Sequence, residues 1–209
     1  MKKMSEVFES PPKKFIILYL LVGLPGSQKT IWLNKRIKKS ISPSTFIVSK
    51  HDFLKTPALL PSQQREQKVD LHKRVYEKVR KIMYIDSKYT STSCIEIYVD
   101  DDNLNYHEWM SYRLLAPDKF VMFLFPSNPQ QAIVNIPAAI TAKTDDEYQT
   151  IFHSLKEKWE LLNESLKYKE KIFDENYIIS TPKPPTPPSP PPSPVFSFLL
   201  PKDEKEEEN

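Results

Sequence analysis

Glycine is almost missing from this chain: 209 residues hold only two, Gly23 and Gly26, and both lie in one eight-residue stretch. A chain that uses glycine nowhere else uses it there for a backbone reason, either a positive φ or a close approach that a β-carbon would block. Cysteine occurs once, as Cys94, which excludes an intrachain disulfide and fits a reducing compartment. Cys94 opens an apolar run, so it reads as a buried inert thiol rather than a nucleophile. Long hydrophobic runs are lacking too. The longest, Phe15 to Val22, is eight residues, far short of the ~20 that span a bilayer. Gly23, Pro25 and Gly26 follow it directly, with no small-residue cleavage site, so a secretory signal is not expected. The expectations are no membrane partner and a cytoplasmic or nuclear location. A charge excess is missing as well: the net charge of +3 is too small to argue for nucleic acid by itself. There is also no basic–aromatic stripe of the kind that binds single strands.

What is present alternates in type along the chain. Residues 1–13 are polar, contain Pro11 and Pro12, and read as a flexible leader. Phe15 to Val22 has no polar alternation, which suits a strand covered on both faces. A helix is expected from Lys29 to about Ser40, through Trp32, Leu33 and Ile37. Thr45 to Ser49 reads as a second short strand. Between Ser62 and about Ile85, Val69, Leu71, Val75, Val79, Ile82 and Met83 recur at helical spacing among charges. Cys94 to Val99 is a third strand, followed by Asp100, Asp101 and Asp102. A short helix over Tyr106 to Leu115, with Asn103 and Asn105 as its caps, precedes a fourth strand over Phe120 to Phe125. A long amphipathic helix spans Asp145 to about Tyr168, and Tyr177 to Ile179 forms an edge strand. Strand and helix in alternation call for a three-layer α/β fold with a parallel sheet of about five strands. This domain is expected to occupy residues 14–180.

Gly23-Leu24-Pro25-Gly26-Ser27-Gln28-Lys29-Thr30 lies between the first buried strand and the first helix. That is the context of a phosphate-binding loop, the P-loop of G-x-x-x-x-G-K-[ST] type. The backbone of Gly23, Pro25, Gly26, Ser27 and Gln28 would wrap the phosphates of ATP and Pro25 would stiffen the turn. Lys29 would neutralise phosphate oxygens and the Thr30 hydroxyl would serve Mg²⁺. Gln28 stands where the pattern has its last glycine, so a side chain occupies space the phosphates would approach, and lowered nucleotide affinity is expected.

With two further segments, residues 15–168 resemble the polynucleotide kinase type of P-loop kinase, whose relatives include zeta-toxin-like and Nedd-four-binding-protein-like domains. The segments are Ser49-Lys-His51-Asp52-Phe53 after the second strand, and Tyr98-Val-Asp-Asp-Asp-Asn103-Leu-Asn105 after the third. The resemblance implies a residue after the second strand that orients or deprotonates an attacking hydroxyl, and it places either His51 or Asp52 there depending on register. It places Asp101 at the family's Mg²⁺- or substrate-positioning aspartate. It also implies arginines in the lid before the last helix, but residues 126–144 hold none, and Lys143 is their only basic residue.

Two functions follow. The first is an ATP-dependent kinase acting on a hydroxyl, by resemblance a polynucleotide 5′-OH, with weakened activity. The second is a pseudokinase or adaptor working through its C-terminal tail. That tail, 181–209, has nine prolines between Pro182 and Pro194, an apolar island from Val195 to Leu200, and an acidic end. It reads as disordered polyproline II with P-x-x-P spacings that suit SH3 or WW grooves or another docking partner.

Overall fold

The structure is a computed structural model, and it describes residues 14–39, 44–53 and 61–180. The leader, 1–13, and the tail, 181–209, lie outside the described residues. The chain opens with β1 (Phe15–Val22), then α1 (Lys29–Lys39) and β2 (Thr45–Ser49). A 3-10 turn over Lys50–Phe53 precedes α2 (Pro61–Tyr84), and a second over Asp86–Tyr89 precedes β3 (Cys94–Asp100). Next come α3 (Tyr106–Arg113), β4 (Lys119–Leu124), α4 (Pro129–Ile133) and α5 (Pro137–Ile140). The described chain closes with α6 (Asp145–Leu166), α7 (Lys169–Ile172) and β5 (Glu175–Ile178).

The sheet is entirely parallel, in the order β2-β3-β1-β4-β5. Connections from β1 run outward to β2, and the chain then returns through β3 and crosses over β1 to β4. The reversal opens a crevice above the C-terminal ends of β1 and β3, the usual ligand position in such sheets. β1 is central and pairs on both sides, with Leu21 opposite Asp100 on β3 and Val22 opposite Leu124 on β4. This explains its unbroken apolar sequence: Leu18, Leu20, Leu21 and Val22 are fully buried, and each such side chain contributes about 1.5–3 kcal/mol on burial.

Two layers of helix cover the sheet. Val75, Val79 and Ile82 of α2, Trp109 and Tyr112 of α3 and Leu155 and Leu162 of α6 build the larger core on one face. On the other face, Leu33 of α1, with Trp32 and Ile37 beside it, packs on Leu21, Tyr98 and Phe123. The three-layer α/β architecture is thus as the strand–helix alternation predicts.

The differences from expectation are local. β5 begins at Glu175 rather than Tyr177, and α4, α5 and α7 are four- or five-residue helices too short to show a period. Asn105 caps α3 in a capping box with Glu108, but Asn103 does not cap. Its buried amide instead donates to the carbonyl of Leu21 at 2.8 Å, tying the end of β1 to the loop after β3. Cys94 is half-buried rather than buried, and desolvation together with nearby Glu96 pushes its thiol up, away from the reactive thiolate. No helix among the described residues is long and apolar enough to cross a membrane.

Candidate active site

The loop between β1 and α1 takes the conformation its two glycines require. Gly26 has φ +80°, and a β-carbon there would lie 2.2 Å from the Ala132 carbonyl oxygen at the end of α4. A β-carbon on Gly23 would meet the Phe125 carbonyl oxygen and the Ser27 hydroxyl at 2.9 Å. Gln28, in the place of the missing glycine, has φ +65°. The glutamine thus keeps the left-handed turn that glycine would make, at a cost of about 1–2 kcal/mol for a residue with a β-carbon. The loop is anchored from below, since Gly23 donates its amide to the Asp102 carbonyl at 3.1 Å.

Lys29 begins α1 and is buried. Its Nζ donates to the carbonyls of Gly23 at 2.7 Å and Leu24 at 3.0 Å, and it lies 3.5 Å from Asp102 Oδ1. Burial lowers its pKa below the ordinary lysine value, with Asp102 pulling the other way. Thr30 Oγ1 donates to Asp100 Oδ2 at 2.7 Å.

The three aspartates after Val99 part company for a reason of pleat. Successive side chains on a strand point to opposite faces. Asp100 shares the face of Tyr98, the side that carries α1, and so it meets Thr30. Asp101 instead pairs with His72 Nδ1 on α2 at 3.4 Å and with Lys50 Nζ at 3.3 Å. Asp102 is surrounded by lysines: Lys50 at 2.9 Å, Lys158 of α6 at 3.4 Å, and Lys29. Burial pushes the Asp102 carboxyl up, but Lys29, Lys50 and Lys158 together hold it far below the usual carboxylate range. Desolvation likewise opposes Asp101 ionisation, and the His72 hydrogen bond and Lys50 overcome it, leaving its pKa lowered. His72 has the mirror-image balance: burial disfavours its charge, yet the bond to Asp101 and the attraction of Glu108 raise its pKa overall.

A cleft of about 580 Å³ lies over these groups, lined by the loop from Pro25 to Thr30, by Lys50 and His51, and by all three aspartates. Val134, Ile136, Pro137 and Ile140 close its outer side, where Asn135 Nδ2 donates to the Gly26 carbonyl at 3.0 Å. The structure therefore gathers Gly26, Ser27, Gln28, Lys29, Thr30, His51 and Asp101 at one cleft. Asp52 turns away, its Oδ2 accepting the Ser49 amide at 3.2 Å to brace the 3-10 turn. Of the two register choices after β2, His51 is the one that lines the cleft. The carboxylate that meets Thr30 is Asp100 and not Asp101. Lys50 lies within the segment singled out after β2 but was given no role there, and His72 and Lys158 were invisible to sequence reasoning, because nothing local to them marks a site.

The Thr30 hydroxyl and the Asp100 carboxylate are hard oxygen donors in contact, as a Mg²⁺ site needs. Among the described residues no group of three carboxylate, imidazole or thiol side chains could hold a metal alone. A Mg²⁺ here would take its remaining ligands from phosphate and water.

No protein-family model matches the chain, and no curated protein sequence matches it. Solved structures do. A fungal RNA kinase superposes with a TM-score of 0.54 at 11% identity, over 83% of this chain and 78% of that one. A chain of the Pnkp1/Rnl/Hen1 RNA repair complex gives 0.51 at 14% identity, over 77% of this chain. The match spans about half of that protein's length, 48%. The PezAT toxin–antitoxin system of Streptococcus pneumoniae gives 0.51 at 16% identity, over 83% of this chain and 72% of that one. At such identities the likeness is one of fold: this chain has the P-loop kinase-like fold.

Proposed function

We propose that this chain is an ATP-dependent phosphotransferase that passes the γ-phosphoryl group to a hydroxyl, the 5′-OH of a polynucleotide being the favoured acceptor class. The observation that carries the reading is Lys29 and Thr30 at the start of α1, directly after a glycine-turned loop, with Asp100 at the end of β3 bonded to Thr30, at the point where the sheet order reverses. Lys29 would leave the Gly23 and Leu24 carbonyls for phosphate oxygens, exchanging neutral acceptors for anionic ones. Thr30 and Asp100 would hold Mg²⁺, which neutralises charge on the phosphate chain. His51, exposed in the cleft, would orient or deprotonate the acceptor. Asp101 would fix Lys50 and His72 beside it. The resemblance of the three sequence segments and the RNA-repair and RNA-kinase neighbours in fold support this acceptor class.

A second reading is favoured by one observation. The segment facing the loop presents Val134, Asn135, Ile136, Pro137 and Ile140, so it brings no cation to the phosphoryl group in transit. With Gln28, this supports a pseudokinase or adaptor that acts through the tail at 181–209.

Equilibrium binding of labelled ATP with Mg²⁺ separates the two. Binding by the wild type that is lost in Lys29→Ala supports the first, and a 5′-OH RNA oligonucleotide then tests transfer. No binding at millimolar ATP overturns it.

A further inference from the structure

Lys50, Lys158 and Lys29 come from three different elements and converge on one carboxylate. Their Nζ atoms lie 2.9, 3.4 and 3.5 Å from Asp102. Asp101, at 3.3 Å from Lys50, and Asp100, which attracts Lys29, share in balancing the three ammonium groups, but all three ammonium groups converge on the two oxygens of Asp102. Three ammonium donors on two carboxylate oxygens are an arrangement that a ligand with several anionic oxygens would use more fully.

Lys158 is not a stray surface lysine. Leu155 and Leu162, three residues before and four after it, are buried against the core. Residues at those spacings share one helix face, so the packing of α6 turns Lys158 toward the sheet, where its Nζ reaches Asp102 just beyond the end of β3. Lys50 is held in the same way by position: it is the first residue after β2 and lines the cleft beside the loop. Asp102 is coupled to the same loop, because its backbone carbonyl accepts the Gly23 amide.

We propose that Lys50 and Lys158 complete, with Lys29, a three-ammonium clamp for the polyphosphate chain of a nucleotide, and that the Asp102 carboxylate is the clamp's internal occupant when no phosphate is bound. The proposal rests on the phosphate-loop reading and deepens it. It supplies the cationic charge that residues 126–144 cannot, since Lys143 is their only basic residue. On entry of a phosphate chain, the lysines transfer their charge-assisted bonds from one carboxylate to several phosphate oxygens, and Asp102 is released toward solvent. Asp102 is thereby a competitor that sets a threshold: weakly charged anions do not displace it, and triphosphates do.

Binding of inorganic tripolyphosphate to the full chain, measured by isothermal titration calorimetry at low salt, tests this. Lys50→Gln and Lys158→Gln are each expected to weaken binding about tenfold or more, the loss of one charge-assisted contact. Asp102→Asn is expected to strengthen it. Lys156→Gln, an exposed lysine two residues away on the same helix, is expected to leave it unchanged. If Lys29→Ala abolishes binding while Lys50→Gln and Lys158→Gln bind as the wild type does, the clamp is wrong and the loop reading stands. If Lys29→Ala binds tripolyphosphate as well as the wild type, or neither binds, both readings fall. Equal weakening by Lys156→Gln and Lys158→Gln would reduce the effect to general surface charge and overturn the clamp. Far-UV circular dichroism and melting of each variant keep folding defects apart from binding defects.

Discussion

The α-carbon of Gly26 sits so close to the carbonyl of Ala132 that a β-carbon would come within 2.2 Å of the oxygen. The loop and the segment after β4 are therefore packed directly against each other, with the Asn135 amide bonded to the Gly26 carbonyl.

Gly26→Ala is expected to be the most damaging single change in the loop. It combines a positive φ with a backbone collision, each on the order of 1–3 kcal/mol. Denaturant unfolding should show the loss, and ATP binding should fall with it. A variant as stable as the wild type would show that the two segments do not pack this way.

Gln28→Gly should behave in the opposite sense. Relief of the left-handed strain offsets the extra unfolded-state entropy of glycine, so stability should stay within about 1 kcal/mol of the wild type or rise. Removing the side chain from the cleft should raise ATP affinity. Affinity unchanged or lowered in titration would show that the glutamine is no obstacle to phosphate.

His51 and Asp52 should separate cleanly. Asp52→Ala removes the brace on the Ser49 amide and should cost about 1 kcal/mol of stability, in the manner of a lost helix cap, with little effect on phosphoryl transfer. His51→Gln should leave stability alone and lower turnover. If Asp52→Ala instead abolishes transfer in a folded protein, the register read from the cleft is reversed.

The His72–Asp101 pair carries a pH signature. Folding raises the His72 pKa, so the stabilisation is full below the unfolded histidine value of about 6.5 and is lost as pH rises through the folded value. Asp101 and Asp102 have lowered values, so their contribution is present above the unfolded value of about 3.9 and is lost as acid is added. Wild type should thus lose more stability than His72→Gln on going from mildly acidic to alkaline solution. Parallel stability–pH curves for the two proteins would sink this.

The loop was the most legible part of the molecule. Two glycines, a lysine and a threonine between a buried apolar run and an amphipathic one define a strand–turn–helix, because each signal acts within a few residues. The long helices α2 and α6 were equally readable from periodicity, and four of the five strands from short apolar runs. Three short helices were not, since four or five residues cannot display a period. The Asp cluster was found but not sorted. The family resemblance singled out Asp101, while the pleat of β3 gave Asp100 to Thr30 and left Asp101 to His72.

By itself, then, the sequence determined which segments are strand and helix and where a phosphate-sized turn must form. These are consequences of backbone stereochemistry and local hydrophobic pattern. Only the tertiary structure decided which carboxylate faces the loop, which of two neighbours lines the cleft, and that Lys50 and Lys158 gather on Asp102. Lys29 and Lys158 are 73 and 56 residues from Asp102 in the chain. Contacts at such separations arise from strand register and from the placing of helices on the sheet, which no local pattern encodes.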